Sequence, residues 1–125
     1  EALMMIGRYD KALTSFEKAL AIEPESAEIW CHRGNALQML LRFDDALGCY
    51  DEALKINPQL AEAWNRKGTT LNRLGRYSEA LDCFDRALEI DPGLASAWNS
   101  KSWALQMLGE DEAAKEAFDR ARGLG

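Results

Sequence analysis

The chain has 125 residues, 47% of them apolar and 29% charged, enough for one buried core. Its net charge of −6 argues against sequence-independent nucleic-acid binding and against an anionic membrane surface, both of which need clustered Lys and Arg. No apolar run approaches the roughly 18 residues of a membrane helix, and no basic-then-apolar leader is present. Because the first residue is Glu, the sequence is read as a piece of something longer. Three cysteines (Cys31, Cys49 and Cys83) without close spacing make neither a disulfide framework nor a zinc ribbon. They read as buried, reduced thiols, which suits a reducing cytoplasmic location.

In chain order, residues 1–6 read as the tail of a truncated first-type (A) helix, followed by a second-type (B) helix near 10–22 and Pro24. An A helix is expected near 27–40, a turn at Leu41-Arg42-Phe43, and a B helix near 44–56 that stops before Pro58. Ala46, Leu47, Tyr50, Ala53 and Leu54 follow the i, i+3, i+4, i+7 rule of an amphipathic helix. The pattern then repeats: A near 61–74, turn Gly75-Arg76-Tyr77, B near 78–90 and Pro92. A third A helix is expected near 95–108, then turn Gly109-Glu110-Asp111 and B near 112–122. Glycine in the turn permits the left-handed backbone that closes a helix, and each proline bars continuation of one. Acidic residues gather where second helices begin, where the helix dipole favours negative charge.

The period is 34 residues, kept by Pro24, Pro58 and Pro92, by Trp30, Trp64 and Trp98, and by Ala12, Ala46, Ala80 and Ala114. Phe16, Tyr50, Phe84 and Phe118 hold the same phase, and segments 27–60 and 61–94 are identical at about half their positions. On these columns the chain resembles the tetratricopeptide repeat family, whose pattern is Trp-x2-Leu-Gly-x2-Tyr followed by Ala, Phe and Pro. The resemblance implies an all-α, right-handed α-solenoid of antiparallel helix-turn-helix repeats, here a single domain over 1–125 with units 1–26 (partial), 27–60, 61–94 and 95–125. Gly34, Gly68 and Ser102 are expected to let helix A approach helix B, with Trp and Phe or Tyr filling the gap. There are departures from the pattern. Arg33, Lys67 and Lys101 take the first Leu column, and their stems can pack while the charges reach water. Leu41 replaces the turn glycine, so that turn is either not left-handed or strained by roughly 1–2 kcal/mol. Asp111 replaces an aromatic, and no polar capping helix follows the last pair.

By the same resemblance, A helices line an inner, concave face that binds a protein or peptide segment. The side of each A helix opposite its buried stripe then supplies the candidate peptide-binding residues: Asn35, Gln38 and Met39; Asn65, Thr69, Asn72 and Arg73; Asn99, Trp103 and Gln106. A carboxamide offers both donor and acceptor, so it can pair with a peptide bond whatever the ligand's side chains. Similar repeat proteins hold extended peptides by the backbone through inner-face asparagines, which here correspond to Asn35, Asn65, Asn72 and Asn99. Met39, Met107 and Trp103 add adaptable apolar area. Alternative readings stay open: the amides as ordinary solvated residues, Trp103 packed inward on a neighbouring helix, and the two methionines as filler between repeats. The A spans carry net charge +3 against −9 elsewhere, which favours a neutral or acidic ligand unless the acids merely decorate solvated B helices. One subtype of the family clamps a terminal carboxylate with Lys and Arg on the inner columns. Those columns here are Cys31 and Asn35, Asn65 and Thr69, Asn99 and Trp103, so that ligand is not expected.

Nothing in the sequence supports an enzyme, a cofactor or a metal site. His32 is the only histidine, and Cys31 beside it points about 100° away on a helix, so the two make no dyad. Besides a binding module, two other roles are consistent with the sequence: a scaffold that self-associates through its repeat ends, and the targeting arm of a larger enzyme.

Overall fold

The computed structural model describes the backbone of residues 2–124 and the side chains of residues 5–123. Seven helices make up the described residues: α1 (Ala2–Ile22), α2 (Ala27–Met39), α3 (Phe43–Ile56), α4 (Ala61–Arg73), α5 (Tyr77–Ile90), α6 (Ala95–Met107) and α7 (Asp111–Leu124). They form two compact units, Glu1–Leu60 with α1 to α3 and Ala61–Gly125 with α4 to α7. In the first unit α2 packs on α1 and α3. In the second, α4 pairs with α5 and α6 with α7, and α6 also lies against α4 and α5.

Each A helix ends in the same way. Arg42, Arg76 and Glu110 donate their backbone N–H to the carbonyls of Leu37, Leu71 and Leu105, at 2.9, 2.9 and 2.8 Å. The residue before each donates to Gln38, Asn72 and Gln106, at 2.9, 3.0 and 3.0 Å. This paired closure needs a left-handed residue. Gly75 and Gly109 supply it at φ 77° and 80°, and Leu41 adopts it too, at φ 63°. Of the two alternatives for Leu41 the strained one holds, at a cost of about 1–2 kcal/mol relative to glycine. The aromatic or Asp after each turn, expected within it, instead opens the following helix.

One expected boundary is absent. The sequence pattern sets residues 1–6 apart from a separate B helix, yet α1 runs unbroken from Ala2 to Ile22. Each further helical residue adds a backbone hydrogen bond. A turn at Gly7 would be repaid only if the segment before it packed back on the helix after it, and six residues make less than two turns.

Within two of the repeats an aromatic ring meets a glycine on the facing helix. Tyr50 and Phe84 are wholly buried, and a Cβ at Gly34 or Gly68 would stand 2.7 or 2.6 Å from the facing ring. Glycine is there because the ring occupies the place of a side chain. In the last pair Ser102 carries a side chain, whose hydroxyl donates to the Ala114 carbonyl at 2.7 Å, and Phe118 is 47% exposed. The Trp and Pro columns also form one contact. Trp30 and Trp98 donate their indole N–H to the carbonyls of Pro24 and Pro92, at 3.1 and 3.0 Å. The cations of the first Leu column do more than reach water: Arg33, Lys67 and Lys101 lie over Trp30, Trp64 and Trp98 at 5.8, 5.8 and 5.3 Å. Lys101 also pairs with Asp85 at 2.7 Å, and Arg33 with Glu17 at 3.3 Å.

Candidate peptide-binding cleft

α4 and α6 are successive A helices of the second unit, and a cleft of about 310 Å³ lies between them. It is lined by Thr69, Asn72 and Arg73 from α4 and by Asn99, Ser100 and Trp103 from α6. Five of the ten residues expected at the binding surface thus share one cavity. Three of them project because of their helical phase: Trp103 is 52% exposed, and Asn99 and Arg73 are exposed beside it. Trp103 therefore does not pack inward. Its indole forms an apolar wall, and Arg73 gives the cleft a cation while no acid lines it.

Asn65 and Asn72 do not stand open as the periodicity implied; they are 8% and 9% exposed. α6 covers them and takes their amide protons: Asn65 Nδ2 donates to Ser96 Oγ at 3.0 Å, and Asn72 Nδ2 to the Ser100 carbonyl at 3.2 Å. Both side-chain carbonyl oxygens are buried without a partner, an omission worth about 1–3 kcal/mol each. For Asn72 the orientation of the amide is settled, because the Ser100 carbonyl can only accept and so must face the NH2 group. Its orphan atom is therefore an acceptor. Thr69 donates its hydroxyl to the Asn65 carbonyl at 3.0 Å. Helical phase puts Ser96 on the same side as Asn99 and Trp103, but gives no sign of Ser100; the signal for the pair was two small polar residues one helical turn apart.

The other candidates lie elsewhere. Gln106 is exposed at a separate hollow with Ser102, Asp111, Lys115 and Phe118. In the first unit Met39 is exposed, while Asn35 and the buried Gln38 flank the Tyr50 hydroxyl at 2.7 and 3.1 Å. A phenol has one proton, so one amide accepts it and the other presents its NH2 to the oxygen lone pair. All three cysteines are buried, and none is in a disulfide. Arg33 Nη1 lies 2.9 Å from Cys49 Sγ, but burial raises the Cys49 thiol above its ordinary range and Arg33 only partly opposes this, leaving a neutral, unreactive thiol. Among the described residues no group of three or more His, Cys, Asp and Glu is placed to hold a metal ion, and no helix is long and apolar enough to cross a membrane.

Paired antiparallel helices repeating every 34 residues, with polar and aromatic side chains presented between first helices, define a helical-repeat scaffold of the kind that binds other proteins. Family profiles described as tetratricopeptide repeat match residues 27–60, 61–94 and 83–116, and a TPR repeat profile matches 1–40. The chain belongs to the tetratricopeptide repeat family. No curated protein matches the sequence significantly. Among solved structures, a crystal structure of MamA is similar at 25% identity and TM-score 0.87, covering 97% of this chain and 71% of that one. A second MamA structure is similar at 25% identity and TM-score 0.86, with 97% and 66% covered. The first TPR of Spaghetti (RPAP3), bound to the HSP90 peptide SRMEEVD, shares the fold at 20% identity and TM-score 0.78, with 79% of each chain covered.

Proposed function

We propose that this chain is a protein-interaction module that binds an extended segment of another protein on the face formed by the first helices α4 and α6. The observation that carries the reading is the cleft between α4 and α6, where Thr69, Asn72, Arg73, Asn99 and Trp103 converge. Asn99 offers both a donor and an acceptor to a peptide bond, Trp103 offers apolar area, and Arg73 favours a neutral or acidic segment. The ligand class rests on these side chains, since a likeness at 20% identity to a protein holding an HSP90 peptide carries the fold alone.

The test is a displayed peptide library selected against the intact chain. Because Asn99 and Trp103 are exposed, Asn99→Ala and Trp103→Ala leave the helical circular-dichroism signal unchanged. Each variant is expected to weaken selected peptides by at least about tenfold. Unchanged affinity in both removes this face from the reading.

One observation favours a second reading, self-association through the last helix pair: Phe118 is half exposed in a column that is wholly buried in the two preceding repeats. That reading requires a sedimentation coefficient that rises with concentration, and a strict monomer discards it.

A further inference from the structure

Within the binding mode proposed above, the repeat columns identify one side chain of the ligand. Thr69, Asn72 and Phe84 are the 34-residue counterparts of Asn35, Gln38 and Tyr50. In the first of these repeats the Tyr50 hydroxyl lies 2.7 Å from the Asn35 amide and 3.1 Å from that of Gln38, and engages both from inside the helix pair. In the second, Phe84 lies over Gly68 as Tyr50 does over Gly34, but has no hydroxyl to give. The Asn72 carboxamide is then left with a buried carbonyl oxygen and no donor, on the wall of a cavity of about 310 Å³. That space is far larger than the roughly 30 Å³ share of a single water.

We infer that this cavity takes a tyrosine side chain of the bound segment, its hydroxyl donating to Asn72 Oδ1 and its ring lying against Trp103. The group that fits must end in a donor, because the vacancy is an acceptor fixed by the Ser100 carbonyl. It must carry a flat apolar body, because the indole of Trp103 is the exposed wall. Lysine meets the first demand but brings a cation to a cleft lined by Arg73 and by no acid. Phenylalanine meets the second but leaves the oxygen unpaired, and sites built around a hydroxyl discriminate most strongly against the analogue that lacks it. The inference requires a small turn about the soft terminal torsion of Asn72, enough to bring Oδ1 to the cavity while Nδ2 stays within reach of the Ser100 carbonyl.

The experiment uses two small probes, N-acetyl-tyrosinamide and N-acetyl-phenylalaninamide, titrated into the intact chain while backbone, indole and side-chain amide resonances are followed by NMR. Shifts centred on Trp103, Asn72 and Asn99, with the tyrosine probe tighter by about tenfold, are expected. The decisive variant is Phe84→Tyr, which places in the second repeat the hydroxyl the first already holds, with its fold checked by circular dichroism and its amide spectrum. There the new hydroxyl stands on the Asn72 side of the helix pair, as that of Tyr50 stands beside Gln38, and is expected to engage the Asn72 amide from inside, so that the two probes bind equally weakly.

Equal affinity of the probes for the wild-type chain, or a tyrosine preference that survives Phe84→Tyr, overturns the inference while leaving the binding face intact. If neither probe perturbs the cleft and library-selected peptides map to another surface, the binding-face reading falls with it.

Discussion

Phe84→Ala is expected to lower the unfolding free energy by about 3–5 kcal/mol, the range for truncating a fully buried aromatic. Phe84 is 0% exposed and fills the notch that Gly68 leaves on the facing helix, so its removal opens a cavity between α4 and α5 that backbone collapse cannot close. Against a total stability of about 5–15 kcal/mol this is a large fraction. The same substitution at Phe118 removes a ring that is 47% exposed, and is expected to cost less than half as much. Urea denaturation of the two variants measures the contrast. Equal losses would mean that the aromatic column contributes alike in every repeat, which the Gly-to-Ser exchange at position 102 argues against.

The second large effect comes from adding a single methyl group. In Gly68→Ala the new Cβ would stand 2.6, 2.8 and 2.9 Å from three carbons of the Phe84 ring. No real contact is that short, and the ring is enclosed on all sides, so either the helices separate or the ring leaves its rotamer. The expected loss is about 1–3 kcal/mol, read from the same denaturation curves. Substituting Phe84→Leu in the Gly68→Ala background relieves the clash, so the double variant is expected to be more stable than the sum of the single losses predicts. Gly48 provides the control: it lies inside α3 with nothing within 4 Å of the place a methyl would take, so Gly48→Ala gains about 0.5–1 kcal/mol from backbone entropy alone.

The parts of this fold that could be read in the sequence are those in which a residue reports on its own helix. The columns of Trp, Gly, Ala and Pro gave the number of helix pairs and most helix limits to within a residue or two, because periodic burial and turn chemistry are local. Leu41 could be flagged but not resolved: a non-glycine residue at a turn either avoids or endures the left-handed region, and the choice belongs to the tertiary contacts around it. The continuous α1 was illegible for a related reason, since a turn at Gly7 depends on whether a partner exists for the segment before it. At the cleft, helical phase placed Asn99, Trp103 and Arg73 correctly outward, but the same phase put Asn65 and Asn72 outward as well. Phase gives direction from one axis and says nothing of the neighbouring helix that arrives to cover a side chain. The orphan oxygen of Asn72 was further out of reach, because it arises from a comparison between repeats: Tyr50 with a hydroxyl, Phe84 without.

The left-handed backbone at Leu41 has a consequence for how the molecule breathes. Strain held in the native turn is released whenever that turn opens, so local opening there starts from higher ground than at Gly75 or Gly109, whose conformations cost nothing. With equivalent hydrogen bonds closing all three turns, the amide protons of Leu41 and Arg42 exchange with solvent faster than those of Gly75 and Arg76. The link between α2 and α3 is thus the most readily frayed of the three turns that join first to second helices.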